Sequence, residues 1–259
     1  MVSGRFYVLA QYVRYFLEKV DQFSIHSPFV YKLYTGLKDH TSKFAVGDLY
    51  LESKRREFAK NNNSYSWVDK GAGSHQFGKK TVSSICRFSN STLKYNLLYQ
   101  YLCSLTPSEY VVELGGSLGL NAAYLSKVCL GKVYSLEGDP QLVNLAAVTL
   151  ERIPNVNQVL GAIEDTLPGL IQQIPRIDFA LIDANHTEGA TLDNFHLLFP
   201  HLHEQSIVVV GDIYWSKGMT RAWKAIKDHP GVSLSLDFFE CGVLFFNLEL
   251  SKENYVLDY

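Results

Sequence analysis

The chain lacks paired cysteines. Cys86, Cys103, Cys129 and Cys241 stand far apart with no C-x-x-C among them, which excludes a zinc ribbon and a dithiol redox motif. They read as small buried apolar residues of a reducing, cytoplasmic setting. It lacks a charge excess too. Lys and Arg number 24 against 26 Asp and Glu, a formal net charge of −2, so there is no electrostatic footprint for a nucleic acid backbone. Nor is there an uninterrupted apolar run at the start: Arg5, Arg14, Glu18 and Lys19 break up the first 20 residues, leaving neither a signal-peptide core nor a bilayer span. What remains is 259 residues, 47% hydrophobic and 13% aromatic, which suit one sizeable α/β domain with an appendage, or two small domains.

The organising stretch is Tyr110–Gly119, YVVELGGSLG. It predicts a short buried strand, a glycine turn and a helix over Leu120–Val128. Such a turn sets backbone N–H groups and the positive end of a helix dipole on one small patch, where the polar head of a ligand can sit. A dinucleotide fingerprint wants G-x-G-x-x-G. Here Gly115, Gly116 and Gly119 form E-x-G-G-x-x-G, with Ser117 in place of the middle glycine. The next apolar strand ends in Glu137-Gly138, about 20 residues further on, where a nucleotide site needs a carboxylate for two ribose hydroxyls.

Glu113–Gly119 resembles the first motif of class I S-adenosylmethionine-dependent methyltransferases. HSPFV near the start, the GAGS loop, ELGGSLG, LEGDP, LIDANH and GDIYWSKGMTRAW extend the resemblance over nearly the whole chain, to a class I methyltransferase family common in Bacteroidetes. It implies S-adenosyl-L-methionine as cofactor and a Rossmann-like, mainly parallel, seven-stranded sheet that finishes in an antiparallel hairpin.

The pattern along the chain agrees. Residues 1–105 predict a helical extension: Phe6–Val20 with Phe6, Leu9, Ala10, Val13, Phe16, Leu17 and Val20 on one stripe, Phe29–Leu37 with Ser27 as cap and Pro28 in the first turn, Asp48–Lys60, Lys80–Phe88 and Ser91–Leu105. The first stripe needs a partner. Its mixed-charge polar face favours docking on the domain's own core, with a homodimer through the N-terminal helices as the alternative and no membrane role. Ser66–Ser74, with Asp69, Gly71 and Gly73, reads as an ordered loop rather than a second nucleotide turn.

From 106 to 259 strands and helices alternate, and runs such as IVVV and FALI imply strands covered on both faces. Val232–Phe239 and Cys241–Phe246 leave no room for a helix between them, so they form an antiparallel hairpin. The hairpin and the missing central glycine speak against an NAD-dependent oxidoreductase. A non-catalytic module that binds S-adenosylmethionine or its homocysteine product is the other alternative.

Four strand ends carry acids, Glu113, Glu137, Asp183 and Asp212, and parallel strands gather such ends in one crevice. The resemblance implies Glu113 beside the methionine portion, Glu137 on the ribose, and Ala162 and Ile163 of GAIE against the adenine. In small-molecule O-methyltransferases similar to catechol methyltransferase, two aspartates and an asparagine hold magnesium, with a base three residues after the first aspartate. Asp183 and Asp212 match the aspartates and His186 the base. Ile213 stands at the asparagine and cannot ligate, and Gly211 replaces a commonly paired aspartate, so the sequence leaves magnesium open. His186 is a suitable base for a hydroxyl on a small-molecule acceptor, unless it caps the next helix. Tyr214 and Trp215 are expected to shape the acceptor pocket.

Overall fold

The computed structural model describes residues 2–67, 78–249 and 251–259, with side chains for 6–64, 81–249 and 251–259. Asp69 and the GAGS residues 71–74 lie outside the described residues. The extension runs α1 (Val2–Glu18), α2 (Pro28–Lys43), α3 (Leu49–Lys60), β1 (Ser64–Trp67), β2 (Gly78–Thr81), α4 (Val82–Phe88) and α5 (Leu93–Ser104). After it come β3 (Tyr110–Leu114), α6 (Leu120–Ser126), β4 (Lys132–Glu137), α7 (Pro140–Leu150), β5 (Val156–Leu160), α8 (Ile163–Ile171) and β6 (Ile177–Ile182). The chain ends with α9 (Glu188–Leu198), β7 (Leu202–Gly211), α10 (Lys217–Lys227), β8 (Leu234–Asp237), β9 (Cys241–Phe245) and β10 (Glu253–Val256).

The main sheet has the order β10-β8-β9-β7-β6-β3-β4-β5. Strands β5, β4, β3, β6 and β7 pair in parallel, while β9 runs antiparallel to both β7 and β8. The predicted terminal hairpin is therefore present. The sheet has eight strands rather than seven, because β10 adds to β8 in parallel at the edge. Its sequence, ENYV, shows no apolar alternation; it is held by backbone pairing and by Ser235 Oγ donating to Asn254 Oδ1 at 2.6 Å, which only the fold supplies. A second correction falls on the stretch at Ser66: its first residues form β1, which pairs antiparallel with β2 instead of lying in a loop.

Alternate residues of each strand enter separate cores, as the pleat requires. Val111, Phe179, Leu181, Ile207 and Val209 pack with Leu33 and Leu37 of α2, Leu98 and Leu102 of α5, and Leu120 of α6. Val112, Ala180, Ile182, Val208 and Val210 pack on the other face with Leu167, Phe195 and Trp223. The helical extension and the sheet thus share one core. All four cysteines are buried and free.

The expected docking of α1 is reversed. Its apolar stripe faces outward, with Phe6 66%, Leu9 57%, Val13 51%, Phe16 57% and Leu17 77% exposed. The helix docks through tyrosines: Tyr15 is buried and donates to the Leu257 carbonyl at 2.6 Å, and Tyr7 donates to Thr220 Oγ1 at 2.8 Å. A phenol gives an apolar body and a polar tip, which suits a surface made of carbonyls and hydroxyls. Ser27 makes no capping bond; Pro28 at the first helical position starts α2.

Candidate active site

The glycine turn after β3 is a crossing point more than a ring of free amides. Gly115 and Gly116 N–H both donate to the Leu136 carbonyl, at 2.9 and 3.1 Å, and Gly119 N–H donates to the Gly116 carbonyl at 2.8 Å. Ser117 N–H donates to Glu137 Oε2 at 2.9 Å. Three of these amides tie the turn to β4, and the Gly119 amide closes the turn on itself. The glycines serve close approach instead. Gly115 has φ of +100°, and a Cβ there would collide with the Asp183 carbonyl, while one at Gly116 would collide with Ser135 Oγ. Gly119, at φ +75°, opens α6 in the left-handed region.

That packing brings the first two acids under the turn. Glu137 is clasped by two backbone donors, Ser117 N–H on Oε2 and Asp139 N–H on Oε1 at 3.0 Å, so its carboxylate is aimed at the glycine bend with lone pairs to spare. Burial pushes its pKa up, against those two donors. Glu113 is fully buried and accepts from Ser135 Oγ at 2.5 Å through Oε2. Burial pushes Glu113 up to about 8, the Ser135 hydroxyl opposing and the charges of Asp183 and Glu137 adding. Its other oxygen, Oε1, and Ser117 Oγ are buried without a hydrogen-bond partner. Such orphans are uncommon, and a water or a polar ligand group would complete their bonding.

A second cluster sits one strand along. Asp183, His186 and Asp212 each offer one ligand atom, all within 4.8 Å of one another, and His186 Nδ1 lies 3.5 Å from Asp212 Oδ2. Asn185, His186 and Asp212 have φ of 60°, 41° and 53°. Left-handed backbone at residues with side chains costs on the order of 1 kcal/mol or more each, and such strain gathers at functional sites. Dense packing round the Asp183 carboxylate raises its pKa, His186 opposing and Asp212 adding, although the residue keeps some surface at the crevice. Gly211 is where this carboxylate lies, since a Cβ at 211 would collide with Asp183 Oδ1. Ile213 is wholly buried and adds no ligand. Thr187, not His186, caps α9, its hydroxyl accepting from Ala190 N–H at 3.3 Å.

Other expected residues scatter. Gly138 lies against the Gly161 carbonyl, its absent Cβ 3.7 Å away, so the ends of β4 and β5 meet there. Ala162 precedes α8, but the Ile163 side chain is buried in the core beneath. Tyr214 turns from the crevice: its hydroxyl donates to buried Asp237 and its ring stacks on Phe239, centroids 5.6 Å apart. It lines a cavity of about 270 Å³ between α1, α10 and the β8–β10 edge, which none of the four strand-end acids lines. Trp215 is 58% exposed. Two residues escaped the sequence reading. Ser135 holds Glu113, and the signal was a hydroxyl two residues before Glu137 in an apolar strand. The Glu240 carbonyl accepts from Asp212 N–H at 2.6 Å, and nothing in the hairpin sequence marks it.

A parallel sheet ending in an antiparallel hairpin, with a glycine turn after its first strand and an acid after its second, is the class I S-adenosylmethionine-dependent methyltransferase fold. Residues 112–213 match the family model described as a methyltransferase domain. A curated relative, the protein-L-isoaspartate O-methyltransferase of Pyrococcus horikoshii, is 40% identical over 62 residues, covering 23% of this chain and 28% of that protein. The match thus spans little more than a quarter of that relative. Among solved structures, the Bacillus cereus O-methyltransferase in complex with S-adenosylhomocysteine aligns with a TM-score of 0.57 at 14% identity, over 81% of this chain and 99% of its own. The O-methyltransferase of tomaymycin synthesis from Streptomyces achromogenes, in complex with S-adenosylmethionine, gives 0.56 at 14%, over 81% and 98%. At these identities the structural likeness is one of fold.

Proposed function

We propose that this protein transfers the methyl group of S-adenosylmethionine to a hydroxyl of a small molecule. The observation that carries the reading is Glu137, clasped across the glycine bend with buried, unpartnered Glu113 Oε1 and Ser117 Oγ beside it. Glu137 accepts from the two ribose hydroxyls, and the two orphan oxygens take hydrogen bonds from, or give one to, the polar end of the cofactor. When bound, the cofactor supplies an electrophilic methyl on sulfur. In-line displacement then asks of the protein chiefly alignment and removal of one proton. His186 takes that proton from the acceptor hydroxyl as the new O–C bond forms and the S–C bond breaks, and Asp212 orients the imidazole from 3.5 Å. Asp183 lies at the same centre. The same three ligand atoms also fit a divalent cation that keeps water in its other positions, and turnover with and without magnesium separates that role from proton transfer by His186.

Calorimetry with S-adenosylhomocysteine and with NAD tests the cofactor: binding of the first alone supports the reading, and binding of NAD alone refutes it. A methyl-donor screen over hydroxylated metabolites, with and without magnesium, tests the transfer. Binding without turnover on any acceptor would favour a non-catalytic module instead.

A further inference from the structure

We propose that α1 pairs antiparallel with α1 of a second copy of this chain. The helix docks on its own protein through Tyr7 and Tyr15, with Gln11 between them lining the cavity beneath, and the diametrically opposite side presents Phe6, Leu9, Val13 and Phe16, every one more than half exposed. Their spacing of three, four and three residues is the seam of a two-helix pair, narrower than the stripe of a helix packed on a globular core.

The spacing reads the same in both directions, and that points to a second copy as the occupant. A two-fold axis level with Gln11 sets Phe6 against Phe16 and Leu9 against Val13, each contact made twice, as a closed isologous dimer requires. The same register sets Arg14 level with Val8 and Glu18 level with Gly4, so no like charges meet. With Leu17 added, the five side chains expose about 500 Å² per copy, so pairing would remove at most about 1,000 Å² from them, close to what a specific interface must clear. A lipid surface suits the helix less well. Among the described side chains, Arg14 is paired with Glu18 at 2.8 Å and Lys19 with Asp258 at 2.7 Å, so these cations are already matched and give no basic rim for anionic headgroups.

Sedimentation velocity of the full chain at tens of micromolar tests this. The wild type is expected to run at twice the chain mass. Leu9→Glu alone and Val13→Lys alone should each run as folded monomers, with far-ultraviolet circular dichroism like the wild type's, because both positions face solvent in the single chain. Mixing the two variants should restore a dimer, because the register brings one altered position against the other. A monomeric wild type, dimeric single variants, or a mixture that stays monomeric would each overturn the proposal. So would a wild type that stays monomeric and floats with phosphatidylserine vesicles while Leu9→Glu does not.

Discussion

Replacing Glu113 with glutamine isolates the cost of holding a carboxyl under the glycine turn. In the folded protein without cofactor this group keeps its proton up to about 8, whereas an unperturbed glutamate loses it near 4.5. Between those values the native state binds more protons than the unfolded chain. The contribution to stability is whole below 4.5 and is lost as pH rises through about 8. At ~1.4 kcal/mol per pH unit the gap corresponds to roughly 5 kcal/mol at alkaline pH. Glutamine keeps the shape and can still accept from Ser135 Oγ, but it cannot ionise. Urea unfolding of both proteins from about pH 5 to about pH 9 should therefore give similar stabilities at the acid end and a growing advantage for Glu113→Gln toward the alkaline end. Asp237 and Glu240 are also raised by burial, and being common to both proteins and outside the charges that act on Glu113 they cancel in the difference. Parallel stability curves across that range would refute the argument, since they would mean that Glu113 ionises as readily in the folded protein as in the unfolded chain.

Glu137→Ala should weaken S-adenosylhomocysteine binding by about 10- to 100-fold in calorimetry, the worth of hydrogen bonds to a charged acceptor; unchanged affinity would remove Glu137 from the ribose. His186→Ala should lower kcat by about 10²- to 10⁴-fold while leaving that affinity intact, and chelation by EDTA should leave wild-type turnover unchanged. A loss on chelation would make Asp183, His186 and Asp212 metal ligands instead. Gly115→Ala should lower the melting temperature through a loss of about 2 kcal/mol or more, because the new Cβ meets the Asp183 carbonyl and φ is +100°; a melt like the wild type's would refute the close crossing of β3 and β6.

Tyr110–Leu114, Ile177–Ile182 and the IVVV of β7 were legible because each is a continuous apolar run covered on both faces, and the acids at their ends follow from parallel order alone. Glu137 was legible by the same logic, as the residue that ends an apolar strand beyond a glycine turn. Its clasp by Ser117 was not, because a hydrogen bond between the β3 turn and the β4 end exists only once the strands lie side by side.

The side of α1 that docks, the addition of β10 to the sheet edge and the turning of Tyr214 toward Asp237 have a common cause. Each rests on partners far off in the chain: Leu257 for Tyr15, Leu234–Asp237 for Glu253–Val256, and Asp237 and Phe239 for Tyr214. Periodicity in a sequence says which side chains share a face, and it did so correctly for Phe6, Leu9, Val13 and Phe16. Whether that face is turned inward depends on what the rest of the molecule offers it. Here the surface beneath α1 offered carbonyl and hydroxyl groups, which hydrogen-bond the tips of tyrosines and leave the purely apolar stripe outside.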